Sequence, residues 1–171
     1  MSSKQILQDK PRILVIGVGN AYRGDDAVGL VVAQRLKEQA LDHVSVLEES
    51  GDGVTLMESW QNADTVILVD AGCSDARVGT LHRFDTFDAH AQTIPATHFH
   101  YSTHAFGVVE AIELSRTLNQ LPSRFIVYCI EGKCFAAGTG LSLEVEEAAR
   151  TVVKCIQHDI YSINPFSGCI S

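Results

Sequence analysis

Residues 12–18 read Arg-Ile-Leu-Val-Ile-Gly-Val and run straight into Gly19-Asn20-Ala-Tyr-Arg-Gly24-Asp25-Asp26-Ala-Val-Gly29. The first seven form a short apolar run rich in Ile and Val, the pattern of a strand buried on both faces. Gly19 and Asn20 stop it. After a polar loop, Asp26 to Gln39 places Val28, Val31, Val32 and Leu36 at helical spacing behind an acidic start. Buried strand, glycine turn and amphipathic helix in succession predict an α/β layered fold with a mostly parallel sheet.

The rest of the chain repeats the alternation. Val44 to Leu47 reads as a second strand and Val54 to Trp60 as a short helix. Thr65 to Val69 is a third buried strand, ended by Asp70-Ala71-Gly72. Gly79 to Phe84 is a fourth, with edge character because His82 and Arg83 stand among its apolar residues. A loop rich in His, Pro and Thr follows, from Asp85 to Tyr101. A helix is then expected over His104 to Leu118, capped by Ser102 or Thr103. Arg124 to Ile130 is the fifth strand. Glu144 to His158 closes the pattern, with Ser142 as its cap and Val145, Ala148, Ala149, Val152, Val153 and Ile156 on its inner face.

No repeat or linker divides the 171 residues. They are expected to form a single domain, with a core of about residues 12–158 between two loose tails, the second starting at Ser162. Hydrophobic residues make up 46% and charged residues 20%, which is globular composition. With 13 Lys and Arg against 21 Asp and Glu, the net charge is −8, which argues against nucleic acid or an anionic membrane as partner. The apolar runs are too short to span a bilayer, and the N-terminal stretch is too polar for a signal peptide. Cys73, Cys129, Cys134, Cys155 and Cys169 form an odd set without repeated close spacing, as expected of reduced thiols in a cytoplasmic protein. Nothing in the pattern suggests self-assembly, so a monomer is expected.

In open α/β sheets ligands sit beyond the carboxyl ends of the strands. The glycines after the first strand do not form a dinucleotide fingerprint, because Tyr22 stands where the third glycine belongs, and no Gly-Lys-Ser/Thr follows. Alone, Asp25 and Asp26 read as a turn with a helix cap. Asp70, directly after an apolar strand, is costly there unless it faces a partner, a metal or a solvated cleft. His104 stands at a helix start, where a lone imidazole is usually solvated or bonded to backbone. Together, Asp26, Asp70 and His104 are two carboxylates and an imidazole at one edge, a set suited to Ni, Fe or Zn that leaves coordination positions free. His98 and His100, flanking Phe99, compete for the third position. Gly-x-Ser-x-Gly, Cys-His and His-Glu-x-x-His motifs are absent from the sequence.

Ile16-Gly-Val-Gly-Asn20 with Gly24-Asp25-Asp26-Ala-Val-Gly29 resembles the opening motif of the hydrogenase maturation endopeptidases. Val69-Asp70-Ala71 resembles their second acidic motif and Ser102-Thr-His104-Ala-Phe-Gly107 their histidine motif; the similarity runs from about Arg12 to His158. It implies a five-stranded twisted sheet sandwiched between helices. It further implies a cytoplasmic protease that removes a C-terminal peptide from the nickel-loaded large-subunit precursor of [NiFe] hydrogenase. The metal-binding positions correspond to Asp26, Asp70 and His104, with nickel supplied by the precursor and no organic cofactor. Asp25 and Asp26 are both candidates for taking a proton. Ser50-Gly-Asp52-Gly-Val54 replaces a familiar acidic-Gly-Gly-Thr element, and the Gly24-Asp25-Asp26 form is closest to the branch serving bidirectional soluble-type hydrogenases. Two other readings share these residues: a nickel checkpoint that binds the precursor without cutting it, and a phospho-acceptor domain. The second fits less well, since its acidic pair belongs at the very end of the first strand and its Lys at the end of the fifth, where Cys129-Ile-Glu131 stands and Lys133 comes late.

Overall fold

A computed structural model describes residues 11–87 and 106–165. Among them are β1 (Ile13–Val18), a 3₁₀ turn (Gly24–Ala27), α1 (Val28–Glu38), β2 (Val44–Glu49), α2 (Gly53–Trp60), β3 (Thr65–Gly72), β4 (Leu81–Asp85), α3 (Val108–Thr117), β5 (Arg124–Glu131) and α4 (Leu143–Ile163). The strands form one sheet in the order β2-β1-β3-β5-β4. All pairs are parallel except β4, which lies antiparallel on β5 at the edge. The expected α/β sandwich is the observed one.

Because β1, β3 and β5 are apolar on both faces, each face must be covered. One face packs Val15, Ile67, Ile126 and Tyr128 against α1 and α4. The other packs Ile16, Leu68, Val127 and Cys129 against Leu56 and Trp60 of α2 and Ile112 of α3. Trp60 meets Phe125 edge to face, with ring centroids 5.0 Å apart. Each aliphatic side chain fully removed from water contributes about 1.5–3 kcal/mol, and the two clusters hold the sheet from both sides.

Several expected ends shift. α4 keeps every predicted inner residue buried but continues past His158 to Ile163, burying Asp159 and Ile160. The second tail therefore does not begin at Ser162. The cause is a polar network: Arg83 of β4 bonds Asp159 and the Tyr128 hydroxyl, and Tyr128 donates to Asp159 at 2.5 Å. Asp85 accepts from both Arg83 and Arg124. These pairs fasten the last turns of α4 to the sheet edge. α3 begins at Val108 with Gly107 as its cap residue, whose N–H donates to Glu110. Ser102, Thr103 and His104, like His98, His100 and Cys169, lie outside the described residues.

Gly29 brings α1 onto the sheet. A Cβ there would stand 2.2 Å from the Val18 carbonyl oxygen and 2.4 Å from that of Val69. Backbone atoms cannot swing aside as a flexible side chain can, so Gly29→Ala is expected to destabilise the fold by about 1–3 kcal/mol. Urea denaturation checks this as a lower midpoint with an unchanged slope.

Candidate active site

The chain runs from β1 outward to β2, then crosses back to β3 on the other side of β1. Sheets of this type bind ligands at that reversal, above the carboxyl ends of the two diverging strands. Asp26 lies in the turn that follows β1, Asp70 near the end of β3, and the turn packs against β3. Close seating of α1 through Gly29 draws the two acids together. Burial and the neighbouring Asp26 carboxylate push the Asp70 carboxyl well above the usual range, against one bond from the Ala71 N–H. Burial also raises Asp26, opposed by the charge of Arg23 and the Asn20 N–H. Two adjacent carboxylates of raised pKa are a site that favours a proton or a cation.

Asp25 does something else. Its side chain is fully buried and both oxygens are engaged. Oδ2 accepts from the Lys133 and Cys134 N–H groups at 2.7 and 2.9 Å, and Oδ1 from the Ser142 N–H at 2.7 Å. The Ser142 hydroxyl bonds both oxygens. Burial alone would raise this carboxyl, but the five donor contacts hold it below the usual range. Gly24, at φ +57°, lets the Asp25 N–H reach the Cys134 carbonyl, at 2.8 Å; a Cβ there would stand 2.3 Å from that oxygen. Asp25 is thus a clasp on the loop after β5, neither a helix cap nor a proton acceptor. Asp26 does not cap α1 either, because the 3₁₀ turn intervenes and Ala27 occupies the cap position. Ser142 stands at the cap position of α4, but its hydroxyl is spent on Asp25.

The departure at Ser50-Gly-Asp52-Gly-Val54 also has a local role. Asp52 caps α2, accepting from the Thr55 N–H at 3.0 Å and its hydroxyl at 2.7 Å. The Gly53 N–H donates to the Phe106 carbonyl at 2.9 Å, tying the chain just before α3 to the start of α2. Among the described residues no three His, Cys, Asp or Glu side chains gather as a metal site. His104 lies outside the described residues. A groove of about 340 Å³ lined by Arg12, Leu14, Leu47 and Ala63 lies at the strand starts, on the opposite edge.

The sequence reading passed over Glu131. This carboxylate, 1% exposed, ends β5 and accepts from the Ser74 N–H at 2.8 Å and the Ser74 hydroxyl at 2.5 Å; His82 Nε2 lies 3.0 Å from it. Its signal was the one that drew attention to Asp70: an acid directly after an apolar strand run. Burial, with Asp70 and Glu131 nearby, pushes the Cys129 thiol far up, as for an inert core thiol.

Fold and edge define a doubly wound α/β protein with an acidic pair at its strand-order reversal. Residues 30–159 match the sequence profile of the HycI family, hydrogenase maturation protease, and the chain belongs to that family. The matched span starts four residues after Asp26. The hydrogenase 2 maturation protease of Escherichia coli is 26% identical over 139 residues, covering 79% of this chain and 82% of the relative. An endopeptidase from Escherichia coli solved in solution superposes with a TM-score of 0.76 at 25% identity, covering 90% of this chain and 94% of that one. The hydrogenase maturating endopeptidase HybD of the same organism gives 0.71 at 19% identity, with the same coverage. The phospho-acceptor reading falls: that class has the wholly parallel order 2-1-3-4-5, whereas here β5 precedes an antiparallel β4.

Proposed function

We propose that this chain is the endopeptidase that removes the C-terminal extension of a nickel-loaded [NiFe] hydrogenase large-subunit precursor, with Asp26, Asp70 and His104 offered to the metal. The observation that carries the reading is the carboxylate pair at the β1/β3 reversal, in a chain whose family is one of hydrogenase maturation proteases. The donor set fits the ion, since two carboxylates and an imidazole suit a borderline divalent metal and leave positions for the precursor's own ligands. Nickel, arriving with the precursor, supplies Lewis acidity toward a carbonyl or a bound water. Asp26 is the remaining candidate to take a proton, since Asp25 has both oxygens occupied.

The test is cleavage of nickel-loaded and nickel-free precursor by the purified protein, followed by mass spectrometry. Loss of the C-terminal peptide only from the loaded form is expected, as is loss of cutting in Asp26→Ala and His104→Ala. Equal rates on both forms would end the nickel account. An unchanged mass with nickel-dependent binding would make the protein a checkpoint instead.

A further inference from the structure

The turn that carries Asp26 also presents an aromatic ring. Three backbone bonds close this turn on itself. The Asn20 N–H donates to the Asp26 carbonyl at 3.3 Å, the Arg23 N–H to the Asn20 carbonyl at 3.2 Å, and the Asp26 N–H to the Arg23 carbonyl at 3.1 Å. Tyr22 is pinned from both sides: its N–H donates to Asn20 Oδ1 at 2.9 Å, and its carbonyl accepts from the Gly138 N–H at 3.0 Å. Its side chain nevertheless stands 80% exposed. A hydrogen-bonded turn spans less than about 7 Å between its first and last Cα, so the Tyr22 Cα lies within about 11 Å of that of Asp26. Among the described residues, Tyr22 is the one exposed large apolar side chain between β1 and α1, the segment that brings Asp26 to the site.

A lone exposed apolar side chain is ordinary on a protein surface. What distinguishes Tyr22 is its fixed backbone and its place. Tyrosine buries a large area at the cost of two side-chain rotations, and a pinned turn has little freedom left to lose on binding. We infer that Tyr22 anchors the folded body of the precursor, its ring received in an apolar recess beside the precursor's metal. This rests on the proposed reading that the precursor brings its nickel to Asp26. A specific interface covers about 800 Å² of each partner, a disc of about 16 Å radius, so a protein centred on Asp26 also covers Tyr22. A ring projecting from a turn is a knob that needs a concavity. A folded surface supplies one and an extended C-terminal tail does not.

The experiment measures the affinity of the intact protein, in an Asp70→Asn background, for two ligands: full-length nickel-loaded precursor and the same precursor made without its C-terminal extension. Tyr22→Ala is expected to weaken both complexes at least about tenfold, the effect of removing an aromatic anchor. Tyr22→Phe keeps the ring and should restore most of the affinity. The Tyr22→Ala protein should melt with its parent, because the ring belongs to neither core cluster. Tyr161→Ala makes the same change near the other end of α4, at a residue 55% exposed, and should leave both affinities unaltered. Equal affinity of Tyr22→Ala and its parent overturns the inference, as does a loss confined to precursor bearing the extension or one matched by Tyr161→Ala. Failure of the parent to bind either form would sink the proposed function and the anchor with it. Normal cutting by wild type together with unweakened binding by Tyr22→Ala would remove the anchor alone.

Discussion

Asp70→Asn is expected to give a protein that no longer processes the precursor and yet melts at a higher temperature than wild type. Its carboxyl lies beside Asp26 in a poorly solvated position, and both circumstances disfavour the charged form. A group whose folded pKa is raised binds its proton more tightly in the native state. Its contribution to stability is therefore complete below the ordinary value of 3.8 and is lost as pH rises toward the folded value. Within that window the loss accrues at up to about 1.4 kcal/mol per pH unit. Asparagine removes the charge but keeps an oxygen for the Ala71 N–H. Wild type and variant should thus melt alike below about pH 4 and diverge toward neutrality, by about 2–4 °C for each kcal/mol relieved. Calorimetry from pH 4 to 7 checks the divergence, and precursor mass spectrometry checks the lost cut. Parallel pH profiles would show that Asp70 carries no such burden. A purely structural carboxylate would give the opposite sign on mutation.

Asp25→Ala should be the most damaging substitution to the fold. It strands the N–H groups of Lys133, Cys134 and Ser142 in a part-buried setting, where an orphaned donor costs about 1–3 kcal/mol. A loss of at least about 3 kcal/mol consumes much of the 5–15 kcal/mol typical of a whole domain. Asp25→Asn is expected to be nearly as harmful, because its amide would turn donors toward donors. Ser142→Ala removes only the hydroxyl contacts and should be mild. The pH dependence runs opposite to that of Asp70. A lowered carboxyl contributes stability above 3.8, and that contribution disappears as pH falls through the folded value. Urea titrations of the three variants at neutral pH, with a wild-type series into acid, give the comparison. Equal midpoints for Asp25→Ala and Ser142→Ala would refute the clasp.

Much of this molecule is legible in one dimension. The runs at Arg12–Val18, Thr65–Val69 and Arg124–Ile130 became the three central strands, because a strand covered on both faces must be apolar throughout. The inner face of α4 was readable residue by residue, since helical periodicity is a local property. Its extra turn was not, because Asp159 and Ile160 are held by Arg83, Tyr128 and the sheet edge rather than by neighbours in the chain.

The acidic positions divide in the same way. Apolar strands followed directly by carboxylates, and glycines that allow close packing, identify the edge where chemistry belongs; short-range pattern alone determined that much. That Asp25 is the one taken up as a clasp was decided only in three dimensions. Asp25 and Asp26 are chemically identical and adjacent, and the donors that claim Asp25 arrive 108 to 117 residues later in the chain. The same holds for Glu131 and its link to Ser74 and His82, which come from other segments. A hydrogen bond's partners are fixed by where distant backbones pass, and no local propensity encodes that.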